Sequence, residues 1–333
     1  MRLLTVNAGS TSLKLEMYAL DAPLPPIAQP PDPLARYATI EAGCADRPDA
    51  VAHRIVRVPD EWDAVTLLDD RARAQLGVVG ADAPLHDAPA LRAAAAIAQS
   101  APAIPQYAVA DGAFHRTLSP AAYTYAIPRE LTRRGLRRRG FHGLSHEYAA
   151  HRAAYEAQRD VVHARIVTLH LGGGSSLCAV RDGASIDTTM GFTPLEGIPM
   201  ATRSGSVDPG LLLHLLQEGT TAGELAEMLE RQSGLLGISG RSSDVRELLA
   251  ASGDADAQLA LEVLVWRTKA ALGAMLAVLG GADLLAFTGG IGENAAGLRE
   301  RILDGIAGDA GVHVIAAREN WMLARAVVLA RTA

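Results

Sequence analysis

Cysteine is scarce in this sequence: only Cys44 and Cys178 occur in 333 residues. Two widely spaced thiols rule out a disulfide framework and fit a reducing, cytoplasmic setting. The opening MRLLTVNAGS lacks a long apolar segment and a cleavage-like site, so no signal peptide is expected. A clean membrane-length apolar run is also missing. The nearest candidate, LALEVLVWRTKAALGAMLAVLGGADLL, contains Arg267 and Lys269 and is broken by Gly280-Gly281. It predicts a core helix followed by a strand. Positive charge is not in excess: the formal net charge is -6. Long-range attraction to nucleic acid or an anionic membrane is therefore not expected, and any anion site must be local. Neither a Walker A G-K-[ST] nor a clean G-x-G-x-x-G is present.

What the sequence does hold is a globular composition, 49% hydrophobic and 20% charged, and enough length for two domains. The apolar run at 3–6 stops at NAGSTS, and SLKLEMYAL follows as a second strand, which predicts a hairpin with a small-residue turn. Pro23, Pro25, Pro26, Pro30, Pro31 and Pro33 then remove backbone donors and predict a surface loop. Asp87 is expected to cap a helix that has Pro89 in its first turn and runs through Gln99. Asp208-Pro209 opens another helix that stops near Gly219, and Thr221 with Glu224 forms a capping-box pattern. LTVNAGSTSLKLEM (4–17) is echoed by VTLHLGGGSSLCAV (167–180), which continues through an Asp182-Gly183 hairpin signal. Two strand–turn–strand units half a chain apart suggest a duplicated α/β domain. Their small turn residues let backbone N–H groups approach a phosphate. A third glycine segment, TGGIGENAAGLRERIL, follows the strand-like DLLAF and predicts strand, glycine turn and helix.

Ten segments in order resemble the acetate kinase family: NAGSTSLK (7–14), HRIV (53–56), APLH (83–86), ADGAFH (110–115), GFHGLSH (140–146), HLGGGSS (170–176), DTTMGFTPLEG (187–197), ATRSG (201–205), SGLLGISGRSSDVR (233–246) and FTGGIGEN (287–294). The resemblance implies the duplicated, ribonuclease-H-like plan of the actin/Hsp70/sugar-kinase group: an α/β fold with two domains and an interdomain cleft. Residues 1–145 with about 316–333 are expected to form the carboxylate and phosphate side. Residues 146–315 are expected to form the nucleotide side. The implied activity is reversible transfer of the ATP γ-phosphoryl group to a short-chain acid, acetate or propionate, giving acyl phosphate and ADP. Mg²⁺ is the implied cofactor and a cytoplasmic homodimer the implied form, with neither nucleic acid nor membrane as partner.

Phosphoryl transfer to a carboxylate joins two anions, so positioning and positive charge carry the catalysis. Arginine suits this because its planar fork pairs with carboxylate or phosphate oxygens. The resemblance places Arg54 and Arg203 as the active-site arginines and His142 on the transferring phosphoryl group. It makes Asp111 an essential carboxylate, either orienting His and Arg groups or acting through magnesium. Val56, Leu85, Phe141 and Pro194 match the apolar wall for the acyl group. His86 and His146 match supporting positions. On the nucleotide side it implies Ser12, Lys14, His170, Gly172 and Gly174 for the phosphates. Asp244, Arg246, Gly290, Ile291 and Asn294 are implied for the adenosine part. Asn7 and Glu319 are the implied magnesium-associated residues.

Three features depart from the family. Arg57-Val58-Pro59 follows HRIV where the family has His-Gly-Gly, Gly173 stands where it has Asn, and the chain is shorter, between Cys44 and Val51 and near the C-terminus. HLGGG also resembles butyrate kinases, whereas DTTMGFTPLEG and ATRSG resemble acetate kinases. A sugar kinase would need a carboxylate base for a hydroxyl, and the two arginines argue against it. A nucleotide-binding relative without turnover is opposed by retention of Arg54, Asp111, His142 and Arg203. The arginine run ELTRRGLRRRG (130–140) is the one RNA-like feature, set against a negative overall charge.

Overall fold

A computed structural model describes residues 1–8, 13–79 and 84–332 of the chain, with backbone alone at 79 and 84–86. The strands are β1 (Arg2–Ala8), β2 (Leu13–Ala19), β3 (Ala35–Tyr37), β4 (Ala50–Ile55), β5 (Val65–Leu67), β6 (Gln106–Ala110), β7 (Arg165–Leu171), β8 (Ser175–Arg181), β9 (Ala184–Thr188), β10 (Leu284–Thr288) and β11 (Gly311–Val314). The helices are α1 (Ile40–Ala45), α2 (Asp70–Val79), α3 (Pro84–Ser100), α4 (Pro120–Tyr123), α5 (Arg129–Arg133), α6 (Gly143–Glu156), α7 (Pro209–Gln217), α8 (Ala222–Arg231), α9 (Gly234–Ser239), α10 (Val245–Ala250), α11 (Ala255–Leu279), α12 (Gly289–Asn294), α13 (Ala296–Leu303) and α14 (Glu319–Thr332).

The chain divides into two units. The first holds 1–114, 142–148 and 318–333, and the second holds 115–141 and 149–317. Their sheets repeat one plan. The first has the order β3-β2-β1-β4-β6-β5 and the second β9-β8-β7-β10-β11, read from its other edge. In each, the leading strand pairs antiparallel with the second and parallel with a later one: β1 with β2 and β4, β7 with β8 and β10. β5 is an antiparallel addition to the first sheet. The echo between 4–17 and 167–180 is therefore a structural duplication.

In the first unit, β1 buries both faces, with Leu3, Leu4 and Val6 fully enclosed. Each such side chain contributes roughly 1.5–3 kcal/mol on leaving water. Helix α3 packs beside β1 and β4, and the last helix, α14, also packs on β1 and β4. The proline-rich loop hangs on α14: Trp321 Nε1 donates to Ile27 O at 3.0 Å and Arg325 Nη1 to Pro25 O at 2.8 Å. In the second unit α11 crosses β8 and β7 and supplies much of the core. Asp254 caps its start, and Gly280, at φ 72°, ends it in the left-handed region. This is the expected core helix followed by strand β10. No helix among the described residues is long and apolar enough to cross a membrane. Asp208, the Thr221–Glu224 capping box and the Asp182-Gly183 turn all form where the sequence places them.

Three expectations change. Asp87 does not cap a helix, because α3 already begins at Pro84 and contains Pro89 in its interior. Its carboxylate instead accepts backbone N–H bonds from another segment. The glycines expected as a turn before a helix lie inside the short helix α12, which starts directly after β10. Segment 115–141, expected in the first domain, groups with the second unit. The physical reason lies partly in His115, whose ring bonds Ser185 Oγ at 2.8 Å and Phe141 O at 3.0 Å.

Candidate active site

β1, β4 and β6 run parallel, with Val6 opposite His53 and Ile55 opposite Ala110. Their carboxyl ends therefore share one edge, where ligand sites of α/β sheets form. Asn7, Arg54 and Asp111 all occupy this edge. Arg54 donates from Nε to Asp111 Oδ1 at 2.9 Å and from Nη2 to Oδ2 at 3.0 Å, a fork-to-fork pair. Asp111 is fully buried, and its Oδ2 also accepts the backbone N–H of His142 at 2.8 Å. Asp111 thus bonds the Arg54 guanidinium and the His142 backbone at once. Burial of the Arg54 guanidinium opposes its charge, but the Asp111 and Glu319 carboxylates outweigh that and hold it protonated. Arg54 Nη1 also donates to Asn7 Oδ1 at 3.4 Å, and Asn7 Nδ2 donates to Glu319 Oε2 at 2.8 Å. Glu319 opens α14, so the docking of the last helix brings it to the first strand.

His142 sits at φ 57°, in the left-handed region that glycine favours, and its carbonyl accepts from His146 N at 2.9 Å at the start of α6. The glycines on either side explain the surrounding motif. A Cβ on Gly143 would strike the Asp111 carbonyl, and one on Gly140 would lie 2.5 Å from the His115 ring. Asp87 is buried, and its carboxylate accepts from Val56 N at 2.8 Å and Arg57 N at 3.0 Å. It fixes the backbone just beyond Arg54. Burial pushes its carboxyl up to about 6, against the pull of these two N–H donors and the Arg54 charge. Val56 is half-buried and Lys14 is exposed on β2, opposite Asn7. Ser12 lies outside the described residues, as do the side chains of Leu85 and His86.

The second unit gathers the glycine residues. Ser175 Oγ accepts from Gly172 N at 3.1 Å and closes the turn between β7 and β8. A Cβ on Gly172 would lie 3.4 Å from Gly174 O, 3.7 Å from His170 Nε2 and 3.8 Å from Gly290 N. The His170 ring, the glycine turn and the Gly290 amide thus border one spot beside the Gly172 Cα. Gly289, at φ 79°, has a Cβ position 2.7 Å from Leu171 O, so glycine is what lets α12 start against β7. Ile291 packs on the core, and Asn294 Nδ2 donates to Gly290 O at 2.8 Å. Asp244 caps α10 through Arg246 N at 2.8 Å, and its carboxylate also pairs with the Arg246 guanidinium. Hydrogen bonding to Arg246 holds Asp244 down to about 2. Arg203 Nη1 donates to Pro194 O at 3.3 Å, which joins the second expected arginine to one residue of the expected acid wall. Phe141, another wall residue, is buried.

The arginine run is used inside the second unit. Arg137 lies 4.8 Å from the Tyr123 ring centroid and Arg139 5.2 Å from that of Phe192, while Arg138 bonds the 188–196 segment. The partners of Asp87, Tyr125, Arg138 and Glu196 escape a reading by sequence, since each acts on backbone or side chains distant in the chain, whereas Ser175 acts on Gly172 only three residues away. Arg138, Ser175 and Glu196 left a signal by lying within quoted segments, and Asp87 by its resemblance to a helix cap; Tyr125 left none.

For a metal, no group of three or more His, Cys, Asp or Glu side chains among the described residues forms a cage. Mg²⁺ bound with nucleotide phosphates needs only one or two protein carboxylates and keeps several waters. The Glu319 carboxylate beside the Asn7 amide fits that donor set.

Comparison with known proteins follows the same direction. Residues 39–327 match the family described as the Acetokinase family. The chain is 42% identical over 302 residues to the acetate kinase of Thermosynechococcus vestitus, covering 83% of this chain and 73% of that protein. It is 39% identical over 348 aligned positions to the acetate kinase of a Cyanothece species, covering 90% and 85%. Among solved structures, Porphyromonas gingivalis acetate kinase matches with a TM-score of 0.85 at 30% identity, over 98% of this chain and 99% of that one. A propionate kinase from Francisella tularensis matches with a TM-score of 0.84 at 31% identity, over 97% and 98%.

Proposed function

The chain belongs to the acetokinase family, a family of ATP-dependent carboxylate kinases, and from that premise we propose that it transfers the γ-phosphoryl group of ATP reversibly to acetate. A carboxylate oxygen attacks the γ-phosphorus, the bond to the β–γ bridging oxygen breaks, and its electron pair leaves with ADP. On this reading Arg54, Asp111 and His142 of the first unit serve the acid and the transferring phosphoryl group, and the glycine segments of the second unit serve the nucleotide. The observation that carries this reading is the buried Asp111, which orients both the Arg54 guanidinium and the His142 backbone. Arg54 offers charge to the two reacting anions without having to be ordered first, and His142 donates to the phosphoryl oxygens. Arg203 adds the second cation. His170, Gly172, Gly174 and Gly290 supply ring and backbone donors to the nucleotide phosphates. Ile291, Asn294, Asp244 and Arg246 border the nucleoside.

Asn7 and Glu319 would hold the magnesium ion, largely through water, and the ion's chemistry is to neutralise phosphate charge. The family resemblance supports Val56, Leu85, Phe141 and Pro194 as the residues that face a short acyl chain. One methylene changes binding in such a wall by only about 1–3 kcal/mol, so propionate is a secondary substrate. We propose a homodimer on the support of α7, where Leu211, Leu213 and Leu216 are 48%, 61% and 43% exposed, an apolar face suited to a second copy; the two widely spaced cysteines support a cytoplasmic location.

An acyl-hydroxamate assay with acetate, propionate and butyrate tests the activity. ATP- and acetate-dependent hydroxamate is expected, with butyrate the poorest substrate. Arg54→Lys keeps the charge on Asp111 but loses the fork, and should lower kcat about a hundredfold. No turnover with any acid in the wild type, or full turnover in Arg54→Lys, would refute the reading.

A further inference from the structure

We infer that Tyr125, Arg138 and Glu196 form a positioning brace that sets the separation of Phe141 and Pro194, and through it the length of acid the enzyme accepts. The inference rests on the proposed reading of Phe141 and Pro194 as acid wall, and all five residues belong to the second unit.

The brace begins in the arginine run, which the reaction itself does not use. Arg138 Nη2 donates to Glu196 Oε1 at 2.7 Å, while Nη1 lies 2.9, 3.0 and 3.0 Å from the carbonyls of Thr188, Thr189 and Met190. One guanidinium thus holds both ends of the 188–196 segment. Tyr125 Oη donates to Glu196 Oε2 at 2.5 Å and accepts from Phe192 N at 2.9 Å, which ties the middle of the segment to its end. Gly191 passes under this junction: a Cβ there would run into both Glu196 Oε2 and Tyr125 Oη. The Gly191 carbonyl accepts from Arg139 N at 3.0 Å and Gly140 N at 3.3 Å. Gly140 is covalently joined to Phe141, so the segment that carries Pro194 is bonded to the one that carries Phe141.

Every bond in the brace ends on backbone or on another brace member. Its side chains are only partly exposed, Arg138 at 17% and Glu196 at 34%, so solvent competes weakly for them. Pro194 sits between fixed points at 192 and 196 and has little freedom of its own. Loosening the brace widens the space between Pro194 and Phe141 and leaves the nucleotide residues untouched.

The test is the kinetics of Tyr125→Phe, which removes one oxygen atom. KM for acetate should rise about fivefold, with KM for ATP within twofold of wild type. The ratio of kcat/KM for propionate over acetate should rise about threefold or more. Glu196→Gln, which keeps an acceptor for Arg138, should fall between wild type and Glu196→Ala. If Glu196→Ala does not fold, Tyr125→Phe decides alone. An unchanged acid KM and acid preference in Tyr125→Phe, or a parallel rise in KM for ATP, would overturn the inference. Pro194→Ala separates the two levels. If it leaves the acid KM unchanged, the wall assignment fails and the inference with it; if it shifts the acid KM while Tyr125→Phe does not, only the brace fails.

Discussion

At the scale of single residues, two positions carry predictions that the sequence alone left open. Gly173 replaces the asparagine found in the family, and glycine keeps its N–H but offers no side-chain donor. A Cβ at Gly173 meets nothing within 4 Å, and its φ is not left-handed, so an asparagine is accommodated without strain. One hydrogen bond to a charged group contributes roughly 1.5–3 kcal/mol. Gly173→Asn is therefore expected to raise kcat/KM for ATP at least tenfold with an unchanged melting temperature; equal kinetics would show that the missing donor is already compensated. Asp87 carries the pH dependence. Its carboxyl is raised by burial to about 6 in the fold, against about 3.9 in an unfolded chain. Between these values the folded state keeps a proton that the unfolded state has lost, so stability falls as pH rises from about 4 to about 6. The loss is about 2–3 kcal/mol and persists above pH 6. Urea denaturation of wild type and Asp87→Asn at pH 4.5 and 7.5 checks this. The change on going to pH 7.5 should be more favourable in the variant by about 2 kcal/mol; parallel changes would mean that burial does not penalise the ionised form.

At the scale of elements, the helices show how local signals and tertiary context divide the work. Capping at Asp208 and Thr221 was legible because each cap bonds an N–H only two or three residues away. Asp87 has the same local look but spends its oxygens on Val56 and Arg57, some thirty residues earlier. Helix α7 has good local signals at both ends and yet no buried residue. Its leucines gain their roughly 1.5–3 kcal/mol each only when another surface covers them. If α7 carries the proposed dimer interface, Leu213→Lys should convert dimer to monomer in size-exclusion chromatography with light scattering, with each monomer still folded by circular dichroism. A dimer that survives this change would move the interface off α7.

At the scale of the whole molecule, the duplication puts three antiparallel strands in succession and two further parallel ones in each unit, and the last helix completes the first unit. Because α14 docks on β1 and β4, Glu319 reaches Asn7 across 312 residues of sequence. Glu319→Ala should raise the Mg²⁺ concentration needed for half-maximal activity about tenfold, while kcat at saturating Mg²⁺ falls less. Titration of activity with Mg²⁺ at fixed ATP reads this directly, and an unchanged midpoint would remove Glu319 from the metal site.

The sequence by itself determined the two leading strand pairs, strand β10 and the membership of the family, because alternation, caps and glycine turns act within a few residues and leave their mark in order along the chain. It also named Arg54, Asp111 and His142, whose motifs are contiguous. The tertiary structure alone decided what those groups touch: that Asp111 serves Arg54 and His142 together, that Asp87 is a buried acceptor, that the arginine run braces 188–196, and that 115–141 joins the second unit. A buried polar side chain takes whichever partner the fold brings within about 3 Å, and that partner is set by the packing of elements far apart in sequence.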